Sequence, residues 1–397
     1  MTTLRLWRSA IGAVVIAFYL AGCDGARDSS SAKAPPFVFR ALELRQKRPN
    51  GERDWDLTSP EARYEFSRRL VKASQPEAIL YRDNKPAYRI RAERATVIND
   101  GQLVMLEGGV QLQQLQGQKV LIQGDRLRWT PPEAVLVMEQ RPEAIDRHTR
   151  IKSQRAQLMQ RSQDLTLLGN VQLERWTQAQ GSQTGSPAES VVRVRQTTWN
   201  LESGAFKAQG PVVGQRRSTT DQSSQHLHAQ RLRGNTAKGF LDLIGPVKVL
   251  IPERDGQLDA ATTRWLFADD ALVSQYPFTA SMEESHLSGR AFRVAMGETT
   301  VSVLDRCRLQ QPGEQLRASR CVWNWTTNRI EAQGDVELQR NDNQQITRSD
   351  RLEGSIGPQG SIVLSSPGGS VQSQLSINDA LGRPSSQTPH RLSPVSF

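Results

Sequence analysis

Apolar residues in this chain recur in a fixed frame about every thirty positions, a spacing typical of stacked repeat architectures. Take Ser59, Ala92, Gly124, Ser153, Val194, Ala229, Ala260, Ser288, Ala318 and Arg348 as the origin of each period. Two residues earlier stand Leu57, Ile90, Ile122, Ile151, Val192, Leu227, Leu258, His286, Leu316 and Ile346, all large aliphatics except the histidine. Five residues later stand Tyr64, Val97, Trp129, Leu158, Trp199, Gly234, Trp265, Arg293, Trp323 and Glu353, so half of the 8 tryptophans share one repeat position. The positions two before and at the origin share a strand face, but the position five after falls on the other face unless a residue is inserted. Small or apolar residues three after the origin (Ala62, Ala95, Leu127, Ala156, Leu232, Ala291, Cys321) agree with the position five after. A bulge one or two residues past the origin returns both pairs to one face and bends the strand.

The return strand of each repeat carries a glycine-x-valine signature: LEGGVQLQ (106–113), LLGNVQLE (167–174), AQGPVVGQ (208–215), LIGPVKVL (243–250) and AQGDVELQ (332–339). Apolar and polar residues alternate through Val110 and Leu112, Val171 and Leu173, and Val336 and Leu338, as in strands with one wet face. A longer string, LVKASQPEAI (70–79), recurs as LVMEQRPEAI (136–145) and, shortened, as LVSQYPFTA (272–280). The segment from Ser59, SPEARYEFSRRLVKAS, has helix-start signals, yet Leu57, Ser59, Ala62 and Tyr64 hold the repeat register and favour strand. The pattern predicts an all-β fold of about ten two-strand units, none able to bury its apolar face alone, stacked around a continuous interior.

The first residues alter where this fold would reside. Arg5 and Arg8 precede a short apolar run that ends in Leu20-Ala21-Gly22-Cys23, too short for the roughly 20 residues of a bilayer span. Residues 1–22 therefore read as a signal peptide, and Leu-Ala-Gly-Cys resembles the lipobox of bacterial lipoproteins, with Cys23 as the lipidated residue. Residues 23–36 read as a flexible tether, 177–190 as a low-complexity loop and 378–397 as a disordered tail. The net charge of +10 is carried mostly by arginine. In an exported lipoprotein it points to an anionic lipid or membrane and away from nucleic acid.

No catalytic constellation stands out in the sequence. The chain has no GxSxG, HExxH, phosphate-loop or Cys-x-x-Cys motif, and no cofactor is expected. His226 and His228 share a strand face without an evident third ligand, which reads as surface. Cys307 and Cys321 flank the turn QQPGEQ. A hairpin centred near Glu314 would set them opposite each other at the about 4.4–6.8 Å between α-carbons that a disulfide needs, the alternative being two buried thiols.

The motifs Trp55-x-Leu57-x-Ser59, Ile90-x-Ala92-x-x-Ala95 and Leu106-x-Gly108-x-Val110 resemble the first repeats of the LptC family of lipopolysaccharide export and its LptA (OstA-like) sibling. The likeness is clearest over 50–174 and continues weakly to about residue 371. It implies an elongated antiparallel β-jelly roll, open like a taco, in which 37–176 is LptC-like and 191–377 is a second LptA/OstA-like region. It also implies a non-enzymatic role. Acyl chains of lipopolysaccharide or a similar anionic glycolipid would lie against Ile90, Leu106, Val110, Leu112, Trp129, Leu167, Val171, Leu173, Trp199, Leu243, Val247, Trp265, Val336 and Leu338. Arg89, Arg91, Arg126 and Arg128 are candidates for the phosphorylated head. The partners implied are the subunits of an inner-membrane ABC transporter and an OstA-like protein joined by edge-strand addition. The location implied is periplasmic, with a lipid anchor in the inner membrane. Classical members carry a transmembrane anchor where this chain has a lipobox. The rival expectations are a structural or adhesive β-solenoid with a filled core and a carbohydrate-active β-helix.

Overall fold

The computed structural model describes residues 37–177, 186–217, 223–341, 344–355 and 360–374. The signal segment, Cys23, the tether, residues 178–185 of the low-complexity loop and the tail lie outside the described residues. Residues from Phe37 onward form one unit, and its 29 strands make a single sheet.

The sheet is an antiparallel meander of bent strands. β1 (Phe37–Lys47) pairs with β2 (Arg53–Glu65), and β2 pairs with both β3 (Leu70–Ser74) and β4 (Glu77–Arg82). The last two are halves of one strand, interrupted at Gln75 and Pro76. β5 (Lys85–Arg91) and β6 (Arg94–Ile98) are again halves of one strand, and both pair with β7 (Leu103–Gln114). The same alternation runs to Gln345–Ser355, whose far side takes Ile362–Ser365 and Gln372–Gln374. The low-complexity loop does not interrupt it, because Asp164–Arg175 pairs directly with Ser190–Asn200. The segment from Ser59 is strand, followed by a single 3-10 turn at Phe66–Arg68. The all-β stack expected from the repeats, and the elongated antiparallel jelly roll implied by the resemblance, are thus the observed fold.

The repeat signatures are the bends. In the two PEAI strings, Gln75 and Arg141 adopt left-handed backbone (φ 47° and 46°) just before Pro76 and Pro142, which cannot donate a ladder hydrogen bond. In the glycine-x-valine strand, Gly108 and Gly109 together oppose the single residue Asp125, since Glu107 pairs with Arg126 and Val110 with Gly124. Buried side chains accordingly fall at 104, 106, 110 and 112 on this strand and at 122, 127 and 129 on its partner. Register shifts of the same kind follow Leu168, Ile244 and Gln333.

Gly108 is required twice over. Its φ is +82°, and a Cβ there would stand 2.8 Å from the Cβ of Glu93. The same contact recurs between Gly245 and Gln230, also at 2.8 Å, and between Gly334 and Ser319 at 3.0 Å. Gly108→Val is expected to cost about 1–3 kcal/mol through backbone strain and the forced displacement of Glu93, read as a lowered denaturation midpoint. An unchanged midpoint would show that the bend relaxes freely.

Two origins in the repeat frame need correction. Leu287, not His286, faces the interior, and Phe292 follows it there, so the frame of that repeat runs one residue later, with Gly289 at its origin. In the last repeat Thr347, Ser349 and Leu352 face inward while Arg348 is exposed. The bulge, not the count of thirty, sets the register, and pairing of Leu338 with Thr347 and Val336 with Ser349 fixes it.

Cys307 and Cys321 are disulfide-bonded with α-carbons 5.9 Å apart. They are not cross-strand partners, as a hairpin near Glu314 would have made them. The turn is centred on Pro312 and Gly313, so Cys307 faces Ala318 and Cys321 faces Val303. Both point inward, 2% and 3% exposed.

Candidate functional site

Bending every strand in its middle brings the two ends of the strands, and hence two rows of turns, over one interior. All of the apolar positions singled out from the sequence point into it. Ile90, Leu106, Val110 and Leu167 are 0% exposed, and the least buried of the set, Trp265, is 9% exposed. They belong to one hydrophobic cluster that runs from Trp55 to Leu352. In the repeats before Ser190 the interior positions are packed closely by side chains. Trp129 is 1% exposed and meets Trp55 edge-on with ring centroids 5.3 Å apart.

Polar contacts fasten the two rows of turns to each other over the same section. The buried Tyr88 hydroxyl donates to Oε1 of Gln163, and Gln114 Nε2 donates to the Leu201 carbonyl at 3.1 Å. Trp199 Nε1 donates to Thr236 Oγ1 at 3.1 Å, and that hydroxyl in turn reaches Oε1 of Gln118 at 3.2 Å. Outside these, Arg82 forks onto the Glu202 carboxylate at 3.0 and 3.2 Å. Burial pushes the Tyr88 phenol well above its ordinary pKa, so it stays a neutral donor. Apart from Trp199, none of these partners was identifiable from the repeat pattern. The others sit at strand ends outside the recurring frame, and four of the five contacts join residues 75 to 120 positions apart.

Beyond this clasped section the interior opens. Val249, Ile251, Leu258, Met282, Met296 and Trp325 line an apolar cavity of about 80 Å³. A second cavity of about 50 Å³ shares Gln225, Val249, Leu272 and Met296 with it and extends to Val192 and Trp265. Both are well below the about 300–1,000 Å³ of small-molecule sites. The sequence reading placed Trp265 at this site but not the methionines, which stand at the strand ends and adapt to irregular space.

Two arginines stand where the rows of turns meet beside this space. Arg216 lines the second cavity, pairs with Asp270 and donates to Gln225 Oε1 at 3.2 Å. Arg175 lies over the Phe267 ring, 3.8 Å from its centroid, and burial holds its guanidinium below the usual arginine range. The arginines proposed from sequence for a phosphorylated head are elsewhere. Arg89, Arg91, Arg126 and Arg128 lie on the outer strand face and pair with Glu77, Glu107 and Glu139. Their neighbours along the strands, Tyr88, Ile90, Leu127 and Trp129, take the inner face.

Both edges of the sheet are open among the described residues. β1 pairs only with β2 and carries Phe37, Val38 and Phe39, which are 61%, 57% and 44% exposed. No helix among the described residues is long and apolar enough to cross a membrane, and no group of three or more metal-ligating side chains occurs among them.

No curated protein matches the chain. Residues 9–129 match the model of the family described as lipopolysaccharide-assembly, LptC-related. That stretch holds β1 to β7 and most of the following strand, Leu121–Thr130, including the first two tryptophans of the interior and the first glycine bend. The bent antiparallel sheet, the repeat motifs and this match agree, and residues 9–129 are similar to the LptC-related family.

Proposed function

We propose that this protein is a lipid-shielding component of lipopolysaccharide export, without catalysis of its own. The observation that carries the reading is the apolar space between Val249 and Trp325, enclosed by the same sheet whose N-terminal part is similar to the LptC-related family. Acyl chains placed there gain about 25 cal/mol for each Å² of apolar surface removed from water. The phosphorylated head of lipopolysaccharide or a similar anionic glycolipid would remain at the rim beside Arg175 and Arg216. The Ile90-to-Leu173 set would line the path only after the Tyr88–Gln163 and Gln114–Leu201 contacts part. Lipidation of Cys23 would tether the chain at the inner membrane on its periplasmic side, near an ABC transporter that supplies the energy. The exposed edge of β1 or the strands after Gln345 would take a strand of an OstA-like partner.

A filled scaffold is the second reading. Its support is the side-chain packing before Ser190, where the interior residues are almost wholly buried. Photo-crosslinking in living cells separates the two. A crosslinker at Leu258 or Met296 is expected to capture lipopolysaccharide, and one at Lys248 or Arg293, on the outer face, is expected to capture little. Equal labelling of both faces, or none at Leu258 and Met296, would reject the lipid path and leave the scaffold.

A further inference from the structure

The outer face of the C-terminal repeats holds a concavity that the interior does not explain. Its charged lining is Arg290, Asp305, Arg306, Arg308, Arg317 and Asp335, four arginines against two carboxylates, with Tyr276 among them, beside the bends at Gly289 and Arg306. Its charge is unbalanced. Arg308 is paired directly across the sheet with Arg317, an arrangement in which like charges repel. On the far side Arg317 shares its single carboxylate, Glu337, with Arg348, and the Glu337 oxygens lie 3.9 Å from Arg317 and 2.9 Å from Arg348. Arg290 stands opposite Asp305 in the ladder, yet neither Arg290, Arg306 nor Arg308 forms an ion pair among the described residues.

The corresponding concavity at the first glycine bend holds one arginine against two carboxylates. There Arg141 forks onto Asp125 at 2.6 and 2.9 Å, with Glu143 alongside. Three other outer arginines of that half are likewise matched, Arg89 and Arg91 on Glu77 and Arg128 on Glu139. Unmatched guanidinium groups in a shared hollow present several parallel N–H donors, the geometry that suits phosphate oxygens. The exposed Tyr276, 53% accessible, adds a hydroxyl at the rim.

We infer that Arg290, Arg306, Arg308 and Arg317 form a binding site for a phosphate-bearing anion on the outer face, separate from the apolar interior. The inference goes beyond the proposed lipid path and does not depend on what fills the interior. Phosphate could be presented by a lipid headgroup or by a soluble or sugar-borne phosphate, and two probes tell these apart. Binding of inorganic pyrophosphate is measured by calorimetry, and of phosphatidylglycerol vesicles by co-sedimentation. Both use the full chain carrying Cys23→Ser, so that no acyl anchor inserts.

The triple change Arg290→Gln, Arg306→Gln and Arg308→Gln is expected to weaken pyrophosphate binding at least about tenfold, about 1.4 kcal/mol. The matched control Arg89→Gln, Arg91→Gln and Arg128→Gln removes the same charge from ion-paired positions and is expected to change it by less than about twofold. Vesicle binding that is lost in the triple variant and competed by pyrophosphate identifies a headgroup; pyrophosphate binding without vesicle binding identifies a soluble or sugar-borne phosphate. Equal losses in the two triple variants, or no binding of either probe by the parent chain, would overturn the site. All six arginines are on the surface, and an unchanged melting curve confirms that each variant is folded.

Discussion

Trp129→Ala is expected to remove about 3–5 kcal/mol of stability from the N-terminal repeats, the largest loss from a single side chain there. The side chain is 1% exposed. It stands near the end of Leu121–Thr130, where its strand pairs with Val104 on one side and Leu136 on the other. Its ring meets Trp55 edge-on, and Trp55 comes from the opposite end of a strand four bends earlier, so the contact holds the two rows of turns together. Losing the aromatic pair adds about 0.5–1.5 kcal/mol to the transfer and cavity cost. Stacked repeats couple mainly to their neighbours, so the loss should be local. Amide exchange should speed up between residues 55 and 140 and stay unchanged beyond Ala271. A loss below about 1 kcal/mol would mean that the interior collapses around the gap, or that something other than Trp129 fills it. Added lipopolysaccharide offers a further reading: recovery of stability in the variant would show that acyl chains reach this section, whereas a scaffold would not respond.

What was legible in the sequence, and what was not, follows from the range over which each feature is determined. The inward positions Ile90, Leu106, Val110 and Trp129 could be read because burial on a strand imposes a local period and the bulge adds one residue to it. The strand at Ser59 could be read for the same reason, against its helix-start residues. The register at His286 and Arg348 could not, because a bulge slides the frame by one residue and only the cross-strand partner, Leu309 for Leu287 or Leu338 for Thr347, reveals it. The contacts of Tyr88 with Gln163 and of Gln114 with Leu201 were beyond reach for a different reason. They depend on which turns face each other after the strands bend, and no period within one strand records that. The arginines show a third limit. Composition predicted a basic protein, but the ladder decides which guanidinium groups are matched by a carboxylate and which, such as Arg308, are not.

Replacing the disulfide by Cys307→Ala and Cys321→Ala is expected to destabilise the last repeats by about 3 kcal/mol, the chain-entropy value for closing a loop of about 15 residues. The two cysteines are 14 positions apart. The bridge is buried between Val303, Ala318 and Trp323, so a reductant reaches it only when these strands open. The alanines fill part of the vacated volume without introducing a polar atom, which makes the variant a cleaner test than serine. Because the bridge ties Thr300–Gln311 to Arg320–Asn324 next to their shared bend, its loss should act where β-pairing alone resists splaying. Amide exchange at Val303, Leu316 and Trp323 is expected to accelerate while β2 to β7 keep their protection. The cavity beside Val301 and Trp323 should loosen with them, and lipopolysaccharide crosslinking from Met296 should fall. If exchange at Val303 and Trp323 is the same with and without the bridge, sheet pairing and packing alone fix this end of the roll and the disulfide contributes nothing to it.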